Sequence, residues 1–168
     1  KNLEISYTLK NNFKKYINIS YGIYDMRLSR QEDLLSISVY SPDVEGLINL
    51  PDNITDENRL TAHLDYFNLN KFSGASDPKT YPFLDLNIQK AKINNYYFNN
   101  VQVTTSPSNE GMIIEKLDFK NNDLSMKGNG KWIKLANKEI TFFDAVFQSN
   151  NFGSSLKNLG YPGIIKEG

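Results

Sequence analysis

The chain contains no cysteine. Disulfides and thiolate metal sites are therefore excluded, while the redox compartment is left open. It has one histidine, His63, and a lone histidine without cysteine cannot build the usual zinc site. Neither sign of charge dominates. Lys plus Arg and Asp plus Glu number 19 each, for a net charge of zero. That removes any general electrostatic pull toward nucleic acid or anionic headgroups. No run approaches the roughly 18 apolar residues of a membrane-spanning helix. The first residue is Lys1, not Met, so the expectation is a processed product or a piece of a longer chain.

What the chain does have is length and alternation. Its 168 residues suffice for one domain that buries about 70% of its unfolded surface without staples. Asparagine recurs in pairs, such as Asn11-Asn12, Asn94-Asn95 and Asn121-Asn122, as suits left-handed turns. Between these breaks the apolar period is two. "LEISYTL" puts Leu3, Ile5, Tyr7 and Leu9 on one face. "INISYGIY" repeats the pattern with Ile17, Ile19 and Tyr21, and "LLSISVY" with Leu35, Ile37 and Val39. "LTAHLDYFNL" adds Leu60, Ala62, Leu64 and Tyr66. The stretch "NKFSGASDPKTYPF" reads as a long loop, a mobile segment or a lid. It marks a weak sub-boundary at residues 71–82.

Beyond that loop the alternation is cleanest. Leu84, Leu86 and Ile88 share a face, and Ala91 and Ile93 follow after a one-residue slip of the kind a bulge produces. Val101 and Val103, Met112 and Ile114, Leu117 and Phe119, and Leu124 and Met126 continue it. "ITFFDAVFQS" carries Phe143, Ala145 and Phe147, but Phe142 and Val146 make its other side apolar too, so cover on both sides is expected. One helix is expected, in "FGSSLKNL" after an Asn150 or Asn151 cap, stopped at Gly160 and Pro162. The sum is a mainly β chain, an antiparallel meander of about ten strands with one short helix near the C-terminus.

Chemistry-bearing groups are sparse. His63 and Asp65 share an outward side of their strand, as solvated residues do. Asp85, Asp118 and Asp144 each alternate with apolar neighbours, and no pair is singled out for acid–base work. Ser106, Ser154 and Ser155 lack a nucleophile elbow. "GNGKW" lacks the spacing of a phosphate loop and reads as a hairpin turn. "NIS" and "NIT" match the short glycosylation pattern that an Asn-rich chain produces by chance. The aromatics fall mostly on the apolar face, which favours packing over base stacking. No enzyme, cofactor, metal or nucleic-acid partner is expected. The remaining feature is a long apolar sheet face with few helices to cover it. Such a face must be buried in a sandwich, in a closed barrel, or in a curved groove that holds something apolar.

Three stretches carry a family resemblance. "LGYPGIIKEG" resembles the Leu-Gly-(Phe/Tyr)-Pro-Gly signature of the YhdP family, large AsmA-like proteins of Gram-negative envelopes. "LDLNIQKAKINNYYFNNVQVTTSPSNEGMIIEKLDFKNNDLSMKGNGKWI" and "FFDAVFQSNNFGSSLKNLGYPG" are similar to that family's strand repeat and its sequel. The resemblance covers residues 34–168. Phe142 and Val146 stand where the family usually has polar residues.

The resemblance implies an open β-groove, a half-barrel, of which residues 1–168 would be one segment. It implies a periplasmic location, with the parent chain tethered to the inner membrane, and non-enzymatic movement of phospholipid toward the outer membrane. The groove lining would be Leu84, Leu86, Ile88, Ile93, Val101, Val103, Ile114, Leu117, Phe119, Leu124 and Met126. The partners would be phospholipid acyl chains, with membranes reached through other parts of the parent and edge-to-edge self-association of the segment. Exposing about fifteen CH₂ groups to water costs on the order of 12 kcal/mol, which gives a shielding trough its use. The competing expectation is an envelope assembly module with a closed sandwich core that binds proteins.

Overall fold

The computed structural model describes residues 3–10, 14–21, 23–71, 77–94, 96–122, 124–135, 138–151 and 153. Eleven strands make one sheet in sequential order. They are β1 (Leu3–Lys10), β2 (Lys14–Tyr21), β3 (Tyr24–Gln31), β4 (Leu34–Tyr40), β5 (Val44–Pro51), β6 (Leu60–Asn68), β7 (Leu84–Ile93), β8 (Tyr96–Ser108), β9 (Gly111–Lys120), β10 (Leu124–Leu135) and β11 (Lys138–Ser149). Among the described residues β1 and β11 do not pair, so the sheet is open and not a closed barrel. A two-sheet sandwich is equally absent from the described residues.

Two expectations need correction here. The strand overlooked in sequence is β3, "YDMRLSRQ". Asp25, Arg27 and Arg30 mask the alternation of Met26 and Leu28. The meander is also not antiparallel throughout, because β6 and β7 pair in parallel, Leu60 opposite Leu84 and Leu64 opposite Ile88. Parallel neighbours require a crossover, and residues 69–83 supply it. They carry the chain from the end of β6 back to the edge of the sheet where β6 began.

The registers align one unbroken row across the sheet. Ile17 lies opposite Leu28, then Ile37, Ile48, Ala62, Leu86, Val103, Leu117, Gly128 and Ala145 in turn. Every member is apolar or glycine. This is the inner face. The outer face is laced by polar ladders instead. Arg27 donates to Asn18 (3.0 Å), Ser36 to Asn49 (2.8 Å) and Lys116 to Gln102 (2.6 Å).

Bulges keep the apolar side chains on that face. Register shifts occur at Glu45/Gly46, at Asn99/Gln102 and Thr104/Thr105, and at Gly128/Gly130. The expected slip is present, since Ile88 and Ala91 are both buried while Gln89 and Lys90 between them are exposed. Bulges of this kind coil a sheet. Gly46 has φ of 144°, and a Cβ there would lie 2.3 Å from the His63 carbonyl oxygen. No larger residue fits.

"GNGKW" is not a turn. Gly128, Asn129 and Gly130 lie inside β10, and the Phe143 ring of β11 lies so close that a Cβ on either glycine would sit 2.8 Å from it. The glycines make room for the ring on the inner face. The outer side of β11 is not covered as expected, since Phe142 is 50% and Val146 68% exposed. The helix expected in residues 152–159, with its Gly160–Pro162 stop, lies outside the described residues apart from Gly153.

Candidate functional site

The candidate site is the inner face, and it divides into two regions. On β2–β5 it is open. Ile17 and Met26 are 38% and 37% exposed, and Leu28, Leu35, Ile37, Val39, Ile48 and Leu50 are half-buried. No inner-face residue of known burial on these strands is fully buried. On β6–β10 the face is closed. Ala62, Leu64, Ile88, Ala91, Phe98 and Val101 form one buried cluster, with Val44, Ile48, Phe67, Leu86, Tyr96, Val103 and Phe119 packed around it. Phe98 and Ala91 are each only 1% exposed. The Phe98 ring meets Phe119 edge-on at 4.8 Å, a geometry that adds to simple burial. Met112, Leu124 and Met126 are buried as well.

All the residues nominated from sequence lie on this face. Ile88, Val101, Leu124 and Met126 are buried, while Leu84, Leu86, Val103, Ile114, Leu117 and Phe119 are half-buried. Ile93 is exposed at the end of β7. They therefore map the closed region, and those that are buried already have packing partners. The sequence reading did not nominate the open region, although "INIS" and "LLSISV" alternate just as clearly. It also missed Phe98. Asn99 and Asn100 separate that ring from Val101, and Asn100 has a positive φ of 50° at the bulge, so the pair reads as a turn instead of a strand.

Part of the closure comes from the second half of the crossover. Pro78–Thr80 form a single 3-10 turn, with the Asp77 side chain accepting the Lys79 N–H at 3.1 Å. The turn packs against β8, β9 and β10. Pro78 is fully buried. The Tyr81 ring leans on Trp132 at 5.6 Å, and Thr105 donates to the Pro82 carbonyl at 3.2 Å. Lys134 Nζ reaches Asp77 Oδ2 at 2.8 Å. By register Thr105, Trp132 and Lys134 all belong to the inner face. Residues 77–83 thus lie across one side of it.

Charge gathers at the edge of the sheet just outside this segment. Arg59 has a side chain only 14% exposed. It binds Asp56, Glu115 (3.3 Å) and the Thr105 carbonyl (3.1 Å), comes within 4.0 Å of Asp85, and lies over Phe83. Burial works against its charge, but the hydrogen bonds to Asp56 and Glu115 outweigh that and its pKa is raised. It ties the loop before β6 to β7, β8 and β9, which is a bracing role.

The remaining candidates disperse. His63 and Asp65 are exposed on β6. Asp118 pairs with Lys116 at 3.7 Å and is separated from Asp85 by β8, and Asp144 is exposed on β11. Ser106 is buried on β8, while Ser154 and Ser155 lie outside the described residues. Among the described residues no three metal-ligating side chains gather. No described helix is long and apolar enough to cross a membrane.

Compared with known proteins, residues 23–168 match the family model described as YhdP protein. No curated protein and no solved structure matches the chain.

Proposed function

Because the chain belongs to the YhdP family, a family of bacterial envelope proteins, we propose that it is a segment of a non-enzymatic phospholipid conduit in the periplasm. The observation that carries this reading is the unbroken apolar row from Ile17 to Ala145, together with the open stretch of face on β2–β5. An acyl chain laid there is removed from water at about 0.8 kcal/mol per CH₂. The polar headgroup stays at the strand ends, in solvent. Nothing covalent happens to the lipid, so neither a nucleophile nor a paired acid and base is needed. The parent chain is tethered to the inner membrane, and lipid passes along the face toward the outer membrane.

The reading moves the acyl-binding residues from those nominated in sequence to Ile17, Met26, Leu28, Leu35, Ile37 and Val39. A photo-crosslinking amino acid at Ile37 tests it in cells. The expected result is a covalent phospholipid adduct, with a control at outward-facing Ser38 giving none. Equal labelling at both positions, or none at Ile37, overturns it.

A further inference from the structure

We propose that residues 77–82 form a latch over the inner face, fastened in part by the Asp77–Lys134 ion pair, and that acyl chains reach half-buried Trp132 more readily when the pair opens. The inference rests on the lipid-conduit reading and adds regulation to it. Its basis is the way this segment is fastened. The apolar part is anchored deeply, through buried Pro78 and the Tyr81–Trp132 contact. The polar part is anchored in water, since the Asp77 and Lys134 side chains are 38% and 34% exposed. An ion pair that solvated holds weakly and yields to salt.

What lies under the latch is suited to an acyl chain. Trp132, Gly130 and Gly128 alternate along the inner face of β10, and Ile114, opposite Gly130 on β9, is only half-buried. Lifting residues 77–82 would therefore uncover more of Trp132 and Ile114, which are half-buried, and expose Met112 as a continuation of the open face. With the latch down, Thr105 and Met112 are sealed. The joint between the crossover and the strands is fixed separately, by the Leu60 N–H bonding the Phe83 carbonyl at 3.1 Å. Motion can thus be confined to the stretch before Phe83.

The chain supplies its own reporter, because Trp132 is its single tryptophan. A phospholipid brominated on its acyl chains quenches tryptophan emission only on contact. In mixed micelles of that lipid, Asp77→Asn keeps the side-chain oxygen that caps the 3-10 turn but loses the charge. It is expected to raise Trp132 quenching about threefold, the scale of an exposed ion pair. Lys134→Gln is expected to do the same, which guards against a folding defect particular to either variant. In a chain free of cysteine, Asp77→Cys with Lys134→Cys can be bridged by a cleavable bismaleimide. Bridging is expected to lower the quenching and cleavage to restore it.

A second reporter, Ile37→Trp in a Trp132→Phe chain, reads the open region. Its quenching alongside unchanged Trp132 quenching in both charge variants and in the bridged protein overturns the latch alone. Failure to quench at position 37 overturns the conduit reading, and the latch with it.

Discussion

Val39 and Val101 occupy the same row of the inner face, linked through Gly46, Leu64 and Ile88. Val39 is half-buried and Val101 is buried. The apolar alternation is the same in both strands, so alternation cannot be what closes the face. Two other things differ. The strands of the closed region are longer, with β8 at 13 residues against 7 for β4. The extra length lies beyond the bulge and brings in Ala91, Tyr96, Phe98 and Phe119. Aromatic rings then fill the space between strands, and residues 77–83 lie over part of the rest. A pleated sheet with aliphatic side chains alone leaves its face half in water. Sealing it takes bulk and a segment laid across.

That contrast yields predictions of decreasing size. A charge should separate the two regions most sharply. Met126→Lys buries an unpaired ammonium and should cost several kcal/mol, enough to abolish a cooperative melt. Ile37→Lys should melt within a few degrees of the parent chain while losing its acyl contacts. Equal loss of stability at both positions would mean that the face is closed throughout. Next, Phe98→Ala should cost about 3–5 kcal/mol in urea unfolding, because it empties the centre of the cluster. Leu28→Ala on the open face should cost under half of that.

Gly46 marks where the two regions meet. Gly46→Ala should destabilise by about 1–3 kcal/mol, since it combines a positive φ with a backbone clash. A neutral result in the same assay would show that the bulge relaxes freely and is no boundary. The smallest effect concerns the ion pair at the closed region. The hydrogen bond from Lys134, and then that from the Lys79 backbone, hold the Asp77 carboxyl below its ordinary value of 3.8. The bond to Asp77, with Glu139 adding to it, holds the Lys134 ammonium above 10.5. The pair's contribution is therefore complete between those two ordinary values. It fades only as pH falls through the lowered Asp77 pKa or rises through the raised Lys134 pKa. Trp132 emission should be flat from about pH 5 to pH 9 and respond to salt instead. A transition near neutrality would point to a different group.

Most of the strands were legible because period-two patterning survives where the polar residues vary, whereas the openness of the sheet was implied only by the family resemblance. Slips such as the one before Ala91 announced the bulges. The parallel β6–β7 pair was not legible, because a loop's composition does not say which end of the sheet it returns to. Nor was the state of the face. Leu86 and Ile88 read alike as apolar strand residues, and only three-dimensional crowding makes one half-buried and the other sealed. The glycines of β10 were misread for a related reason. Glycine marks turns in most contexts, and its use as a seat for Phe143 depends on a residue one strand away. The resemblance carried by the "LGYPG" signature located the family, which period-two patterning alone could not have done.

The strictly sequential strand order has a metric consequence. Neighbouring strands are about 4.8 Å apart, so eleven of them measure about 48 Å along the contour of the sheet. An extended hydrocarbon tail is less than half as long. Two such tails laid end to end match that length, and each two-stranded hairpin added to the gene would extend the contour by a fixed step of about 9.6 Å.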